Sequence, residues 1–192
     1  MTKQEKGKVI ILVAPSGGGK STMAQRVLEA FDSVKFSVSA TTRSPREGEK
    51  QGREYYFLTP EEFQERVDRG DFLEWEEFYN GIRYGTLRPD VERLRGEGYH
   101  VLLDIEVLGA TNIKKIYRNQ ALAIFLKPPS LQVLRQRLAA RGTETEKSLQ
   151  ARLERAEKEL AYEDRFDVVI VNDELERAWE ELRDVIKQFI GR

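Results

Sequence analysis

The run Ala14-Pro15-Ser16-Gly17-Gly18-Gly19-Lys20-Ser21-Thr22 follows five apolar residues, Val9 to Val13, and sets an ammonium and a hydroxyl directly behind three glycines. Residues of these types in this order can cradle phosphate. Backbone N–H groups of the turn and the positive end of the following helix converge on one anion, Lys20 adds a point charge, and Ser21 can offer an oxygen to Mg²⁺. The spacing from Ala14 to Lys20 and Ser21 is that of a phosphate-binding loop. Alanine stands where that motif begins with glycine, which requires a negative φ at Ala14. A second group of the same chemistry is Asp104, which closes the apolar run Val101-Leu102-Leu103. A carboxylate at the end of a buried strand beside a phosphate loop is placed to hold Mg²⁺. Two sets of arginines complete the inventory: Arg43, Arg46 and Arg53, with Lys50, in the polar segment 41–53, and Arg135, Arg137, Arg141, Arg152 and Arg155 around Gly142. Arg135 and Arg155 read as solvated surface.

The chain has no cysteine and a single histidine, so thiol nucleophiles and most histidine-based metal or triad chemistry are excluded. A phosphate loop with several arginines and no nucleophile suits phosphoryl transfer between two bound nucleotides. Positioning and charge neutralisation are nearly all that this reaction requires.

The elements that must position these groups follow from the patterning. Val9 to Val13 is a β-branched apolar run typical of a parallel strand buried on both faces. Ser21 to Phe31 reads as the next helix, with Met23, Val27 and Leu28 inward, and Val34 to Ala40 as one alternating strand. The segment from Thr41 to Arg53, with Pro45, Gly48 and Gly52, is a loop long enough to imply function. Glu54 to Leu58 reads as a short strand, and Thr59-Pro60-Glu61-Glu62 as a capped helix start carrying Phe63 and Val67 inward. Phe72 to Tyr79 and Ile82 to Thr86 flank Asn80-Gly81, a two-residue hairpin signal. A helix over 87–97, strands over 101–105, 121–126 and 166–171, a helical hairpin carrying Leu134, Leu138, Leu149, Leu153 and Ala156, and a terminal amphipathic helix complete an alternating pattern. The pattern predicts an α/β fold: a three-layer, doubly wound parallel sheet of the P-loop type with a β-rich insertion and a helical lid. The expected divisions are a core of 1–36, 87–128 and 162–192, an insertion of 37–86 whose job would be to hold something over the phosphate loop, and a lid region of 129–161.

With 192 residues, 32 basic and 33 acidic side chains and a net charge of −1, bulk electrostatics favours neither nucleic acid nor a membrane as partner. The charged content of 34% is common to heat-adapted proteins and to many mesophilic helical surfaces. The N-terminal residues are short and charged and no apolar run reaches membrane-spanning length, so the cytoplasm is the expected location.

Along nearly its whole length, from Val9 to about Ile190, the chain resembles guanylate kinase. The matching stretches are Ala14 to Thr22, Ser37 to Glu49, Gly52 to Phe57, Tyr84-Gly85-Thr86, Pro128-Pro129-Ser130, Arg141 to Thr145 and Val169 to Asp173. The resemblance implies that Ala14, Pro15, Ser16, Gly17, Gly18, Gly19, Lys20, Ser21 and Thr22 bind ATP and that Asn172 contacts its adenine. It implies that Ser39, Arg43, Arg46 and Tyr55 hold the phosphate of GMP, with Glu74, Tyr84 and Thr86 around its base. Mg²⁺ would be held by Ser21 and Asp104, and Lys20, Arg43, Arg137, Arg141 and Arg152 would be catalytic, the last three as lid arginines. Glu106, expected at the GMP site, stands where the family's strand-end motif has aspartate, and Leu108 where glutamine is common.

Guanine's own chemistry agrees with that assignment. Its pairing edge offers two donors, N1–H and the exocyclic amine, beside the O6 acceptor. A carboxylate such as Glu74 accepts from both donors and a hydroxyl such as Thr86 donates to O6. Adenine would turn a lone pair toward the carboxylate, a mismatch worth roughly 10⁴-fold in selectivity. Two alternatives stay open on the sequence: a catalytically inactive guanylate kinase-like module that binds phosphopeptides, and a related P-loop kinase acting on a sugar phosphate. The implied partners are ATP and GMP, with use of dGMP and self-association, monomer or homo-oligomer, left open.

Overall fold

A computed structural model describes residues 6–78, 81–140 and 146–191. The described residues form an α/β fold with two sheets and seven α-helices. Five strands, β1 (Val9–Val13), β2 (Val34–Phe36), β7 (His100–Asp104), β8 (Ala121–Lys127) and β9 (Val168–Val171), form a central parallel sheet in the order β2-β7-β1-β8-β9. Every residue of β1 is buried, and Val9 to Val13 pair in register with Ala121 to Phe125 of β8. The order places strands that follow β1 early in the chain on one side of it and late ones on the other. At such a switch point the loops leaving the strand ends diverge and leave a crevice for a ligand.

By packing, the chain divides into two compact units: one built from Ser33–Val101 and the residues leading into β1, the other from Val9–Asp32 and the residues from Leu102 on. In the second unit, α1 (Lys20–Ala30) and α4 (Val107–Tyr117) pack on β1, α4 also on β8, and α7 (Leu175–Ile190) on β9. The helices α5 (Leu131–Ala139) and α6 (Glu146–Leu160) form a pair whose core is Leu134, Leu138, Leu149 and Ala156. This is the expected helical hairpin. The helix α4 lies where the sequence predicts no element. Its apolar residues at 107, 110 and 113 are buried, but Gly109 and the β-branched Val107, Thr111 and Ile113 weaken the propensity signal.

The first unit holds a second sheet of four strands, β3 (Ala40–Thr41), β4 (Tyr56–Phe57), β5 (Phe72–Glu77) and β6 (Arg83–Leu87), in the order β4-β3-β6-β5, with α2 (Pro60–Asp68) and α3 (Arg88–Gly96). The single strand expected over 34–40 is therefore two strands in two sheets, and the strand expected over 54–58 shrinks to Tyr56–Phe57. Ser37 lies at the break, where its buried hydroxyl donates to Asp90 at 3.2 Å instead of continuing a ladder. The expected cap of α2 is present in full: the Thr59 hydroxyl accepts from the Glu62 N–H, and the Glu62 carboxylate accepts from the Thr59 N–H. The hairpin is antiparallel and pairs Glu74 with Thr86, Trp75 with Gly85 and Glu76 with Tyr84; the Phe78 N–H donates to the Ile82 carbonyl at 2.7 Å, so the register is one residue off the one that the expected two-residue turn would set, and Asn80 itself lies outside the described residues. At Gly85 a Cβ would meet Phe72 Cδ1 at 2.7 Å and the Glu74 carbonyl at 2.9 Å, so only glycine lets the two strands close there.

Phe63 is fully buried at the centre of this unit, among Ala40, Phe72 and Leu87, its ring stacked on Phe72 with centroids 4.4 Å apart. Phe63→Ala removes the largest side chain of that core and is expected to destabilise it by about 3–5 kcal/mol. Denaturant titration checks this as a lowered midpoint with an unchanged slope.

Candidate active site

The loop after β1 turns sharply because its glycines permit it. Gly17 and Gly19 have φ of 87° and 91°, and the Gly18 N–H donates back to the Pro15 carbonyl at 2.8 Å. Ala14 is buried, and the only non-glycine with positive φ among the described residues is Arg118, so alanine meets the backbone requirement at position 14. Helix α1 then begins at Lys20 with Gly19 as its N-cap and no side chain capping its first turn. The first N–H groups of the helix and its positive dipole end face outward from the loop, where an anion is their natural partner. Ser21 and Thr22 are exposed beside them.

The Lys20 ammonium bridges the end of β7: it lies 2.8 Å from Asp104, donates to the Ile105 carbonyl at 3.2 Å and lies 3.9 Å from Glu106. Its burial disfavours the charge, but Asp104 and then Glu106 outweigh that cost and hold Lys20 above its usual pKa. Lys20 is thus a firm cation. The expected surface role of Arg155 is corrected here. Its guanidinium donates to Glu106 at 3.1 Å and to Glu159 at 2.8 Å, tying α6 to the residue that precedes α4. Arg135 does pair at the surface, with the exposed Glu146. Glu159 is buried, which pushes its carboxyl above the usual range against the pull of Arg155, with Glu106 adding to the rise. Sequence reading misses Glu159, since a glutamate on a helix looks like any other surface acid.

Of the expected lid arginines, Arg152 donates to the Ser16 hydroxyl at 2.7 Å and Arg137 to the Asn172 carbonyl at 2.9 Å, while Arg141 lies outside the described residues. Asn172, expected at the adenine, has its side-chain amide turned to the Gly18 carbonyl at 2.8 Å. Ser21 and Asp104 supply a hydroxyl and a carboxylate, the hard oxygen donors that Mg²⁺ takes. Among the described residues no cluster of three acids or histidines is placed to cage a metal. A donor set this small suits a cation that keeps waters and completes its shell with substrate phosphates.

Seven expected acceptor residues lie in the other unit, in two groups; Glu106 is set apart from them, in the unit of the phosphate loop. In the first group Arg43 is held by both carboxylate oxygens of Glu49, each at 2.9 Å, and donates to the Ser44 carbonyl. Glu49 also accepts the Arg46 N–H at 2.7 Å, so one carboxylate folds the whole turn. The Arg43 guanidinium lies 5.4 Å from the Tyr55 ring centre, and the rings of Tyr55 and Tyr84 meet edge to face at 5.8 Å. The Ser39 carbonyl accepts the Tyr56 N–H at 2.9 Å, which anchors the start of that segment, and Arg46 is exposed. In the second group the buried Thr86 hydroxyl donates to Glu74 at 2.6 Å across the hairpin. A carboxylate and a hydroxyl fixed side by side in this way can read two neighbouring positions of one planar edge.

Glu49, the partner of Arg43, is a residue to which sequence reading gives no role; its signal is an acid six positions after Arg43 in a basic loop. The hydrogen bonds from Arg43 and from the Arg46 N–H hold its carboxyl at about 2. A folded pKa below the unfolded one adds stability above the ordinary carboxylate range, and this is lost as pH falls from about 4.5 toward 2. Glu49→Gln is expected to flatten the stability profile of the protein across that window, measured by denaturant melts at stepped pH.

The guanylate kinase family model matches residues 6–189. The chain is 53% identical over 183 residues to guanylate kinase of Salinibacter ruber, covering 95% of this chain and 97% of the relative. It is 48% identical to that of Porphyromonas gingivalis, covering 96% and 99%. A crystal structure of guanylate kinase from Anaplasma phagocytophilum superposes with a TM-score of 0.78 at 31% identity, over 98% of this chain and 89% of that one. A phosphate loop of this geometry, a paired carboxylate and hydroxyl on a hairpin, and these relatives together establish that the chain belongs to the guanylate kinase family.

Proposed function

We infer that the chain is an ATP:GMP phosphotransferase, converting ATP and GMP to ADP and GDP. The observation that carries the guanine reading is the Glu74–Thr86 pair at 2.6 Å, because neither a sugar phosphate nor a phosphopeptide has a base edge for it to meet. In this reading Glu74 accepts from N1–H and the exocyclic amine, the Thr86 hydroxyl turns its single proton from Glu74 to O6 when the base arrives, and Tyr84 packs beside them. Ser39, Arg43, Arg46 and Tyr55 hold the phosphate of GMP. The loop from Ala14 to Thr22 holds the phosphates of ATP, with Lys20 bridging its terminal oxygens.

Transfer needs the acceptor oxygen in line with the terminal phosphorus of the donor, and charge on the group in flight must be neutralised. Lys20, Arg43, Arg137, Arg141 and Arg152 supply that charge. Ser21 and Asp104 would hold Mg²⁺, which when bound neutralises phosphate oxygens of the donor. Asp104, now salt-bridged to Lys20, keeps the ammonium within reach of the same oxygens. Residues 37–86 act as the acceptor-binding insertion, 129–161 as the lid that excludes water, and 1–36, 87–128 and 162–192 as the core. No helix among the described residues is long and apolar enough to cross a membrane. A cytoplasmic site of action fits an ATP-dependent reaction and a cysteine-free chain.

A coupled assay with ATP and GMP, AMP, CMP or UMP side by side tests the reading, and turnover is expected with GMP alone. Glu74→Ala is expected to raise the KM for GMP by about 10- to 100-fold, the worth of hydrogen bonds to a charged group, with ATP binding unchanged; equal loss of both would reject the assignment. Lys20→Ala is expected to abolish turnover while calorimetry still detects GMP binding, and retained turnover would remove the loop from the mechanism.

A further inference from the structure

Asn172 stands directly after β9, where its N–H donates to the Lys127 carbonyl at the end of β8 at 2.7 Å. Its carbonyl accepts from Arg137 of α5, and its side chain is enclosed, with the residue only 4% exposed. Its backbone is thus fixed on both sides, and the side-chain amide is aimed at one atom, the Gly18 carbonyl oxygen at 2.8 Å. A Cβ placed on Gly19 would collide with this same amide nitrogen, so Asn172 forms the wall against which the loop is folded.

The Gly18–Gly19 peptide needs such a wall. In a trans peptide the C=O of one residue and the N–H of the next point in opposite directions. Gly17 and Gly19, both at positive φ, flank Gly18, and glycines let a peptide rotate at small steric cost. Anchoring the Gly18 carbonyl on one side therefore aims the Gly19 N–H to the other. We propose that Asn172 is a positioning residue for phosphate binding, which locks the Gly18–Gly19 peptide so that the Gly19 N–H faces the anion, whatever base the donor carries. Only a neutral amide serves, since an aspartate would set lone pairs against the carbonyl. The proposal rests on the reading that the loop from Ala14 to Thr22 binds the phosphates of the donor.

The base supplies the test, because inorganic tripolyphosphate has none. In calorimetric titrations, Asn172→Ala is expected to weaken ATP and tripolyphosphate by the same factor, about tenfold, the net worth of one hydrogen bond in a preorganised site. Asn172→Asp, nearly the same shape, is expected to weaken both further. The KM for GMP stays within about twofold in both variants if the loop alone is disturbed. Loss of ATP binding with tripolyphosphate unchanged would overturn the proposal, since Asn172 would then act on the base; so would unchanged binding of both. Should the alanine variant fail to fold, the aspartate variant carries the same comparison. Lys20→Ala serves as the control: if it leaves both ligands bound as tightly as before, the phosphate-loop reading itself fails, an outcome separate from any behaviour of Asn172.

Discussion

The ion pair between Lys20 and Asp104 is the contact on which the phosphate-binding unit turns. An ammonium this enclosed must be matched by an anion or it loses its proton. Lys20 opens α1 and Asp104 closes β7, so their 2.8 Å contact joins the helix that follows β1 to the strand beside β1. Glu106, Arg155 and Glu159 extend the pairing in alternating sign, and α6 is drawn into the same network. The ammonium is thus kept charged and in place by its own neighbours.

The unit from Ser33 to Val101 uses the same means. Its polar side chains around Arg43 and around Glu74 are each held by partners of their own. Glu49 organises the arginine turn, while the hairpin register fixes Glu74 opposite Thr86. Phe63 beneath the sheet and Gly85 within it let β5 and β6 close together. Glu74 and Thr86 are therefore placed by the strands that bear them.

What could be read from the sequence was local. The loop from Ala14 to Thr22, the Thr59 cap and the hairpin are spelled by neighbours a few positions apart, where helix and strand periods act directly. The pairing of Glu74 with Thr86 is not spelled in the same way: a two-residue turn at Asn80-Gly81 would set Glu74 opposite Leu87, and the observed register is one residue away from that. Asn172 bonds Gly18 across 154 positions and Arg155 bonds Glu106 across 49, and no local period encodes either. Arg155 therefore reads as surface, and the bond from Asn172 to Gly18 goes unforeseen. The break at Ser37 was hidden for a related reason, as the alternating pattern of 34–40 is shared by strands of two different sheets. In α4, burial of Ala110 and Ile113 overrides weak local propensity, which a sequence window does not register.

The bidentate grip of Glu49 on Arg43 sets a condition of shape as well as charge on any ligand that would take the guanidinium over. A ligand that takes over the guanidinium must replace two parallel N–H···O bonds at once, and a phosphate monoester has the oxygens to do so. A monoatomic anion such as chloride brings a single centre to the fork and cannot reproduce two parallel bonds, so displacement of Glu49 favours a ligand with two oxygens set side by side.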